Sequence, residues 1–130
     1  NYLLSDALVG IISQRLIRKS CPYCRKSYNP GKAQLERVGI PLKENIQWFN
    51  NMGCIKCNYS GFIGRTAVHA ILTVDYGIRK LIQDKASNDE IYDYAIKNGF
   101  KPLEQACIDL LRNSVTTFKE VAQLLSTLDK

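Results

Sequence analysis

Apolar residues fall at Leu4, Ala7, Leu8, Ile11, Ile12, Leu16 and Ile17. That spacing lines one face of a helix and predicts one over residues 3–18. Ser5 or Asn1 is placed to cap it, and Arg15, Arg18 and Lys19 suit its C-terminal end, where cations meet the negative pole of the helix dipole. Pro22 cannot continue a helix and disfavours helical backbone at Cys21, so the element is expected to stop there. Residues 20–64 lose the periodicity. A short helix fits residues 32–38, stopped by Gly39 and Pro41, and residues 46–49 read as a short strand. Gly53, Gly61 and Gly64 fall where the chain needs tight turns. Residues 66–73 read as a second strand.

Four helices follow. The first is expected over about residues 75–85. The second starts at Ser87 with Glu90 three positions on, a capping box, and ends at Asn98–Gly99. Pro102 opens the third, whose face carries Leu103, Ala106, Cys107, Leu110 and Leu111. Thr117 and Glu120 form a second capping box before the stripe Phe118, Val121, Leu124 and Leu125. The expected fold is α+β and mostly helical, a tetracysteine lobe with short strands followed by a C-terminal helical bundle.

The chain has 130 residues with an apolar share of 45%, ordinary for a globular protein. Its net charge of +6 is uneven. Residues 1–40 hold seven Lys and Arg against Asp6 and Glu36, a net of +5, whereas the remainder is nearly balanced. Nucleic acid, acidic lipid, nucleotide phosphate or an acidic protein surface all suit such an excess, as does a solvated basic face. No apolar run approaches the roughly 20 residues that span a bilayer. The start of the chain lacks the basic region of a signal peptide and has no methionine, so it is expected to be a piece of a longer protein. Five cysteines, an odd count, do not suit a closed disulfide framework and point to a reducing, cytosolic compartment.

The cysteines carry the clearest chemistry. Cys21-Pro-Tyr-Cys24 and Cys54-Ile-Lys-Cys57 are two Cys-x-x-Cys units separated by 29 residues. Zinc takes four thiolates at the corners of a tetrahedron, and each Cys-x-x-Cys turn offers two of them. A closed four-thiolate shell leaves no open position, so the metal is expected to be structural. Iron suits the same donors, but zinc is the better expectation. A single redox pair in a βαβ setting does not match two such units. Cys107, in mid-stripe, reads as a buried free cysteine, and His69 as a packing or surface residue of the second strand.

No Gly-x-x-x-x-Gly-Lys-Ser/Thr loop is present, so a phosphate cradle of that kind is absent from the sequence. Gly61-Phe-Ile-Gly64-Arg65 reads as a turn entering a strand, with Arg65 free to form an ion pair or reach a neighbouring subunit. A lone histidine makes no Ser/His/Asp arrangement, and no catalytic residue is assigned. Tyr92 and Tyr94, two apart on a helix, cannot share a face and make no stacking platform.

Two stretches carry a resemblance. Residues 14–24, Gln-Arg-Leu-Ile-Arg-Lys-Ser-Cys-Pro-Tyr-Cys, resemble the approach to the zinc lobe of the type II secretion and type IV pilus assembly ATPases. Residues 53–66, from Gly53-Cys54 to Gly64-Arg65-Thr66, are similar to its second half, and Gly99, Leu103 and residues 116–121 to the family's closing helices. The resemblance implies a hexameric parent ATPase on the cytoplasmic face of the inner membrane, driving pilin or pseudopilin assembly through a platform protein. It implies that residues 1–19 end the RecA-like core, 20–73 form the tetracysteine lobe and 74–130 the C-terminal helical subdomain. ATP and magnesium belong to a part of the parent that precedes this chain, so this piece is not expected to hydrolyse ATP. Ala70 stands where the family usually has a glutamate, so an ion pair of relatives is expected to be missing. Pilus assembly is the expected branch.

The rival reading is a zinc-ribbon nucleic-acid binder, supported by the basic first third. Against it stand the expected helix end at Arg15, Arg18 and Lys19 and the want of interleaved aromatic residues. An enzyme in its own right is a third reading, without a catalytic constellation to support it.

Overall fold

The computed structural model describes residues 2–40 and 46–127. In chain order it contains α1 (Tyr2–Ala7), β1 (Gly10–Ser20), β2 (Arg25–Ser27), α2 (Lys32–Val38), β3 (Phe49–Asn51), a 3-10 turn (Ile55–Cys57), β4 (Phe62–Thr73), α3 (Tyr76–Gln83), α4 (Asn88–Lys97), α5 (Leu103–Arg112) and α6 (Phe118–Ser126). The fold is therefore α+β. Among the described residues the strands make two two-stranded sheets, β1 with β4 and β2 with β3. The chain divides into two compact units. One comprises Asn1–Gln14 with His69–Leu103, and the other Arg15–Val68 with Glu104–Lys130.

In the first unit the core is Val74, Ile78 and Ala95, with Leu8, Leu72, Ile82, Ile91, Tyr94 and Phe100 packed against it. Asp75 caps α3 by accepting the Ile78 N–H at 2.9 Å, and its other oxygen accepts the Tyr94 hydroxyl at 3.2 Å. The expected capping box of α4 is complete. The Glu90 N–H donates to the Ser87 hydroxyl at 3.2 Å, and the Ser87 N–H donates to the Glu90 carboxylate at 2.7 Å. Ser5 is not a cap. It is buried in α1 and accepts a hydrogen bond from the Gln83 amide at 3.3 Å. Asn1 and Pro41, assigned capping and stop roles above, lie outside the described residues.

In the second unit α2 has the bounds that its pattern predicts, and Gly39 ends it in the left-handed conformation. β2 and β3 pair antiparallel, with Arg25 opposite Asn51, Lys26 opposite Asn50 and Ser27 opposite Phe49. The strand expected at residues 46–49 thus begins three residues later, at Phe49, where the pairing with Ser27 opens the ladder. Leu111, Phe118, Val121 and Leu125 are buried. Thr117 caps α6 by accepting the Glu120 N–H at 3.2 Å. The Glu120 carboxylate turns to Arg18, accepting from Nε at 3.0 Å and Nη2 at 2.8 Å. A two-pronged guanidinium bond satisfies a carboxylate better than the single N–H that a capping box offers.

That pairing has a pH signature. The hydrogen bonds from Arg18 hold the Glu120 carboxyl below its ordinary value of 4.5, against the opposing effect of burial. A lowered folded-state value means stability that is full above pH 4.5 and lost as pH falls through the depressed value. Arg18 is 51% exposed, so solvent screens the pair and its worth is about 1 kcal/mol. Glu120→Gln is expected to cost that amount in urea unfolding at pH 7, with the gap closing as both proteins are taken well below pH 4.5. An equal gap at both pH values refutes this account of the pair.

The helix expected over residues 3–18 is corrected. Only Tyr2–Ala7 is helical, and Gly10–Ser20 is an 11-residue strand. Its antiparallel ladder to β4 is bracketed by the Val74 N–H donating to Val9 O and the Cys21 N–H to Gly61 O, both at 2.9 Å. Gly10 is a poor helix former, and Ile11, Ile12 and Ile17 are β-branched residues that suit a pleated surface. The supposed helix face is not one face. Ile17 is 2% exposed, whereas Ile12 is 67% and Leu16 59% exposed. The strands are also not uniformly short, since β4 runs for 12 residues and starts at Phe62. Arg15, Arg18 and Lys19 therefore lie on a strand, and the helix dipole does not account for them.

Candidate metal centre

Cys21 follows the last residue of β1, and its N–H donates to Gly61 O, which ties the first cysteine pair to the turn after the second. Cys24 directly precedes β2, so the β2–β3 register sets its place. The Met52 N–H closes that end by donating to Cys24 O at 3.4 Å. Cys54 and Cys57 bracket the 3-10 turn, in which the Tyr59 N–H donates to Cys54 O at 2.8 Å and the Asn58 N–H to Ile55 O at 3.2 Å.

The turn works only with glycine at two points. Gly53 has φ +90°, and a Cβ there would stand 2.6 Å from the Tyr59 carbonyl oxygen. Gly61 has φ +83°, and its Cβ would stand 2.9 Å from the Asn51 Cβ. Both combine a left-handed backbone with no room for a side chain.

The result is a cluster of four sulfurs, those of Cys21, Cys24, Cys54 and Cys57, all within 4.8 Å of one another. The separations are 3.8 Å for Cys21–Cys54, 3.9 Å for Cys24–Cys57 and 3.7 Å for Cys54–Cys57. A tetrahedron with metal–sulfur bonds of about 2.3 Å has edges of about 3.8 Å. Disulfide bonds are about 2.05 Å long, and all five cysteines are free. The donor set and its spacing therefore fit a tetrahedral tetrathiolate site.

The thiols are unequal. Burial pushes Cys21 up to about 11. Burial also acts to raise Cys57, but the Cys54 and Gly61 N–H groups, each 3.2 Å from its sulfur, outweigh it with help from the neighbouring thiols and bring it down to about 6. N–H donors aimed at a sulfur favour the thiolate, which is the form that ligates a metal.

Other candidate residues lie apart from the cluster. Cys107 is fully buried in α5, and burial, then the Glu104 carboxylate, pushes it up to about 11. His69 is exposed on β4. Ala70 is buried in β4 and offers no carboxylate there. Tyr92 and Tyr94 point to different partners, a Phe100 ring 6.5 Å away and Asp75. The unit that holds the cysteines also holds the basic excess, with 13 Lys and Arg against six acidic residues, whereas the other unit has five against six. Three of these cations lie over aromatic rings, Arg18 over Phe62 at 4.1 Å, Arg25 over Phe49 at 5.5 Å and Lys56 over Tyr23 at 3.9 Å. Sequence reasoning missed Asn51 and Ser20, which meet at this site. Neither belongs to a spacing motif, and the register of β3 alone brings them there.

A four-cysteine lobe held between two long paired strands and followed by capped helices defines the class of domain. Residues 1–123 match the family model described as "Type II/IV secretion system protein", and the chain belongs to that family. It is 31% identical over 123 residues to "Type II secretion system ATPase E" of Vibrio cholerae, an alignment covering 95% of this chain and 24% of the relative. It is 35% identical over 122 residues to "Type IV pilus assembly ATPase PilB" of Thermus thermophilus, covering 92% of this chain and 14% of the relative. "Type II secretion system protein E" of Dickeya dadantii is also 35% identical, over 125 residues, with 95% and 24% covered. The chain thus spans about a quarter or less of the length of these relatives. Among the described residues no helix is long and apolar enough to cross a membrane.

Proposed function

We propose that this chain is the C-terminal part of a hexameric ATPase that powers type IV pilus assembly or type II secretion, with one structural zinc ion held by Cys21, Cys24, Cys54 and Cys57. The observation that carries the metal reading is the set of sulfur separations, which match tetrahedral edges with the donors already turned inward. The names of the Vibrio cholerae and Thermus thermophilus relatives support the ATPase parent. Zinc, when bound, supplies a fixed four-way cross-link and no reactive position.

In this reading residues 1–19 complete the RecA-like core, 20–73 form the metal lobe and 74–130 the helical end. Exposed Ile12 and Leu16 on β1 are surface that the preceding core covers. ATP and magnesium bind in that preceding part, and this piece does not hydrolyse ATP by itself. The parent works at the cytoplasmic face of the inner membrane, against neighbouring subunits of a homohexamer and an inner-membrane platform protein. The metal lobe is the stiff projection that transmits nucleotide-driven motion to the platform. Arg18 and Arg25 are already held by Glu120 and the Ser114 carbonyl, which leaves fewer cations for phosphate than the charge of this unit suggests and weighs against nucleic acid.

The test is Cys54→Ser in the full-length protein. Zinc content is expected to fall to near zero and pilus assembly or secretion to fail, while nucleotide binding by the preceding core persists. Normal assembly by a zinc-free variant would falsify the proposal.

A further inference from the structure

We propose that Asn51 is a positioning residue for the metal centre, an amide brace that ties the two cysteine pairs into one site. This rests on the metal reading above. Asn51 is the last residue of β3, three positions before Cys54, yet its side chain is spent on the other pair. Its Nδ2 donates to the Cys21 carbonyl at 2.8 Å and lies 3.6 Å from the Cys24 sulfur. Its Oδ1 accepts the Ser20 hydroxyl. The orientation of the amide is fixed by chemistry, because a backbone carbonyl only accepts and so requires the NH2 end.

Three features make this more than a surface contact. The bonds cross 30 residues of sequence, from the strand leading into the second pair to both ends of the first pair. The Asn51 Cβ fills the place that a Cβ on Gly61 would need, and the Gly61 N–H in turn donates to the Cys57 sulfur at 3.2 Å. One side chain thus touches the support of three ligands. Its amide also serves Cys24 as the backbone N–H groups serve Cys57, draining charge from a thiolate in a shell that carries four. The brace comes with the β2–β3 register, so it and the ion act together to set the spacing of the sulfurs.

The experiment is cobalt(II) titration of the 130-residue chain, read by the thiolate-to-cobalt charge-transfer band, with a chelator competition for affinity. Wild type is compared with Asn51→Leu, which keeps the bulk and removes the amide, and with Ser20→Ala, which keeps the amide and removes its anchor. Asn51→Leu is expected to weaken cobalt binding about 10- to 100-fold. Its band is expected to move to lower energy, because a sulfur that loses a donor gives up its electron more readily. Ser20→Ala is expected to shift both readouts in the same direction and by less. Affinity and band both at wild-type values in the two variants overturn the brace. If Asn51→Leu does not fold, Ser20→Ala decides. Wild type that takes up no cobalt overturns the metal reading itself, a different result from wild-type uptake with indifferent variants.

Discussion

Loading the purified chain with zinc and then stripping it with a strong chelator is expected to unfold the lobe between Cys21 and Gly64. Apart from the ends of β1 and β4, the described residues of 20–64 hold one short helix, two three-residue strands and a 3-10 turn, and such a segment buries too little to order itself. Zinc binding to a four-thiolate site is worth about 10 kcal/mol or more, and where the site forms only in the folded state that energy is folding energy. Trp48, the single tryptophan, lies in this segment with its ring edge-to-face on Phe118, centroids 5.5 Å apart. Its emission is expected to shift to the red on chelation as the ring enters water. Four thiols should become reactive at once, while Cys107, fully buried and pushed up to about 11, stays protected until the whole chain unfolds. Helices α3 and α4 have their own core around Val74, Ile78 and Ala95, so the far-ultraviolet helix signal should fall only in part. The decisive measurement is fluorescence with a thiol count before and after chelation. Unchanged emission with all metal removed, in a chain that bound it, would show that the lobe does not depend on the ion.

Phe118→Ala is expected to be the most costly single substitution in the hydrophobic part of the second unit. Phe118 is 6% exposed and opens α6 directly after the Thr117 cap. Truncating a buried phenylalanine to alanine costs about 3–5 kcal/mol, the lost transfer energy plus the cavity left behind. Within that total, the edge-to-face geometry with Trp48 contributes about 1 kcal/mol, which a double-mutant cycle isolates. At about 3–5 °C per kcal/mol for a chain of this size, the melting temperature should fall by more than about 10 °C. Phe118→Leu should recover more than half, since most of the volume returns. A loss under about 1 kcal/mol, with Trp48 emission unmoved, would mean that the ring pair holds nothing together.

The cysteine pairs were legible because metal chemistry dictates residue type and local spacing, and two Cys-x-x-Cys units carry both. The Trp48–Phe118 contact was not, because nothing local links positions 70 residues apart. The same distinction runs through the helices. The box at Ser87 and Glu90 formed in full because its donors and acceptors lie within one turn. At Thr117 the hydroxyl did its local part, but the Glu120 carboxylate found a better partner in Arg18, 102 residues earlier.

The N-terminal segment shows the limit most clearly. Leu4, Leu8, Ile11, Ile12 and Leu16 have helical spacing, yet the segment is a strand from Gly10, because β4 offers a ladder of backbone partners about 50 residues away. Periodicity reports which residues would share a face if a face were buried. On this ribbon Ile12 and Leu16 are exposed, so the period carried no instruction.

By itself the sequence determined the capped helices, the glycine-dependent turns and the four ligand candidates, all of which follow from forces acting over a few residues. Only the tertiary structure decided that residues 10–20 pair as a strand, that Arg18 meets Glu120 and that Asn51 reaches the cysteine pair that precedes it by 30 residues. Hydrogen bonds and ion pairs between distant segments depend on which backbone is brought within about 3 Å, and that is fixed by the whole chain at once.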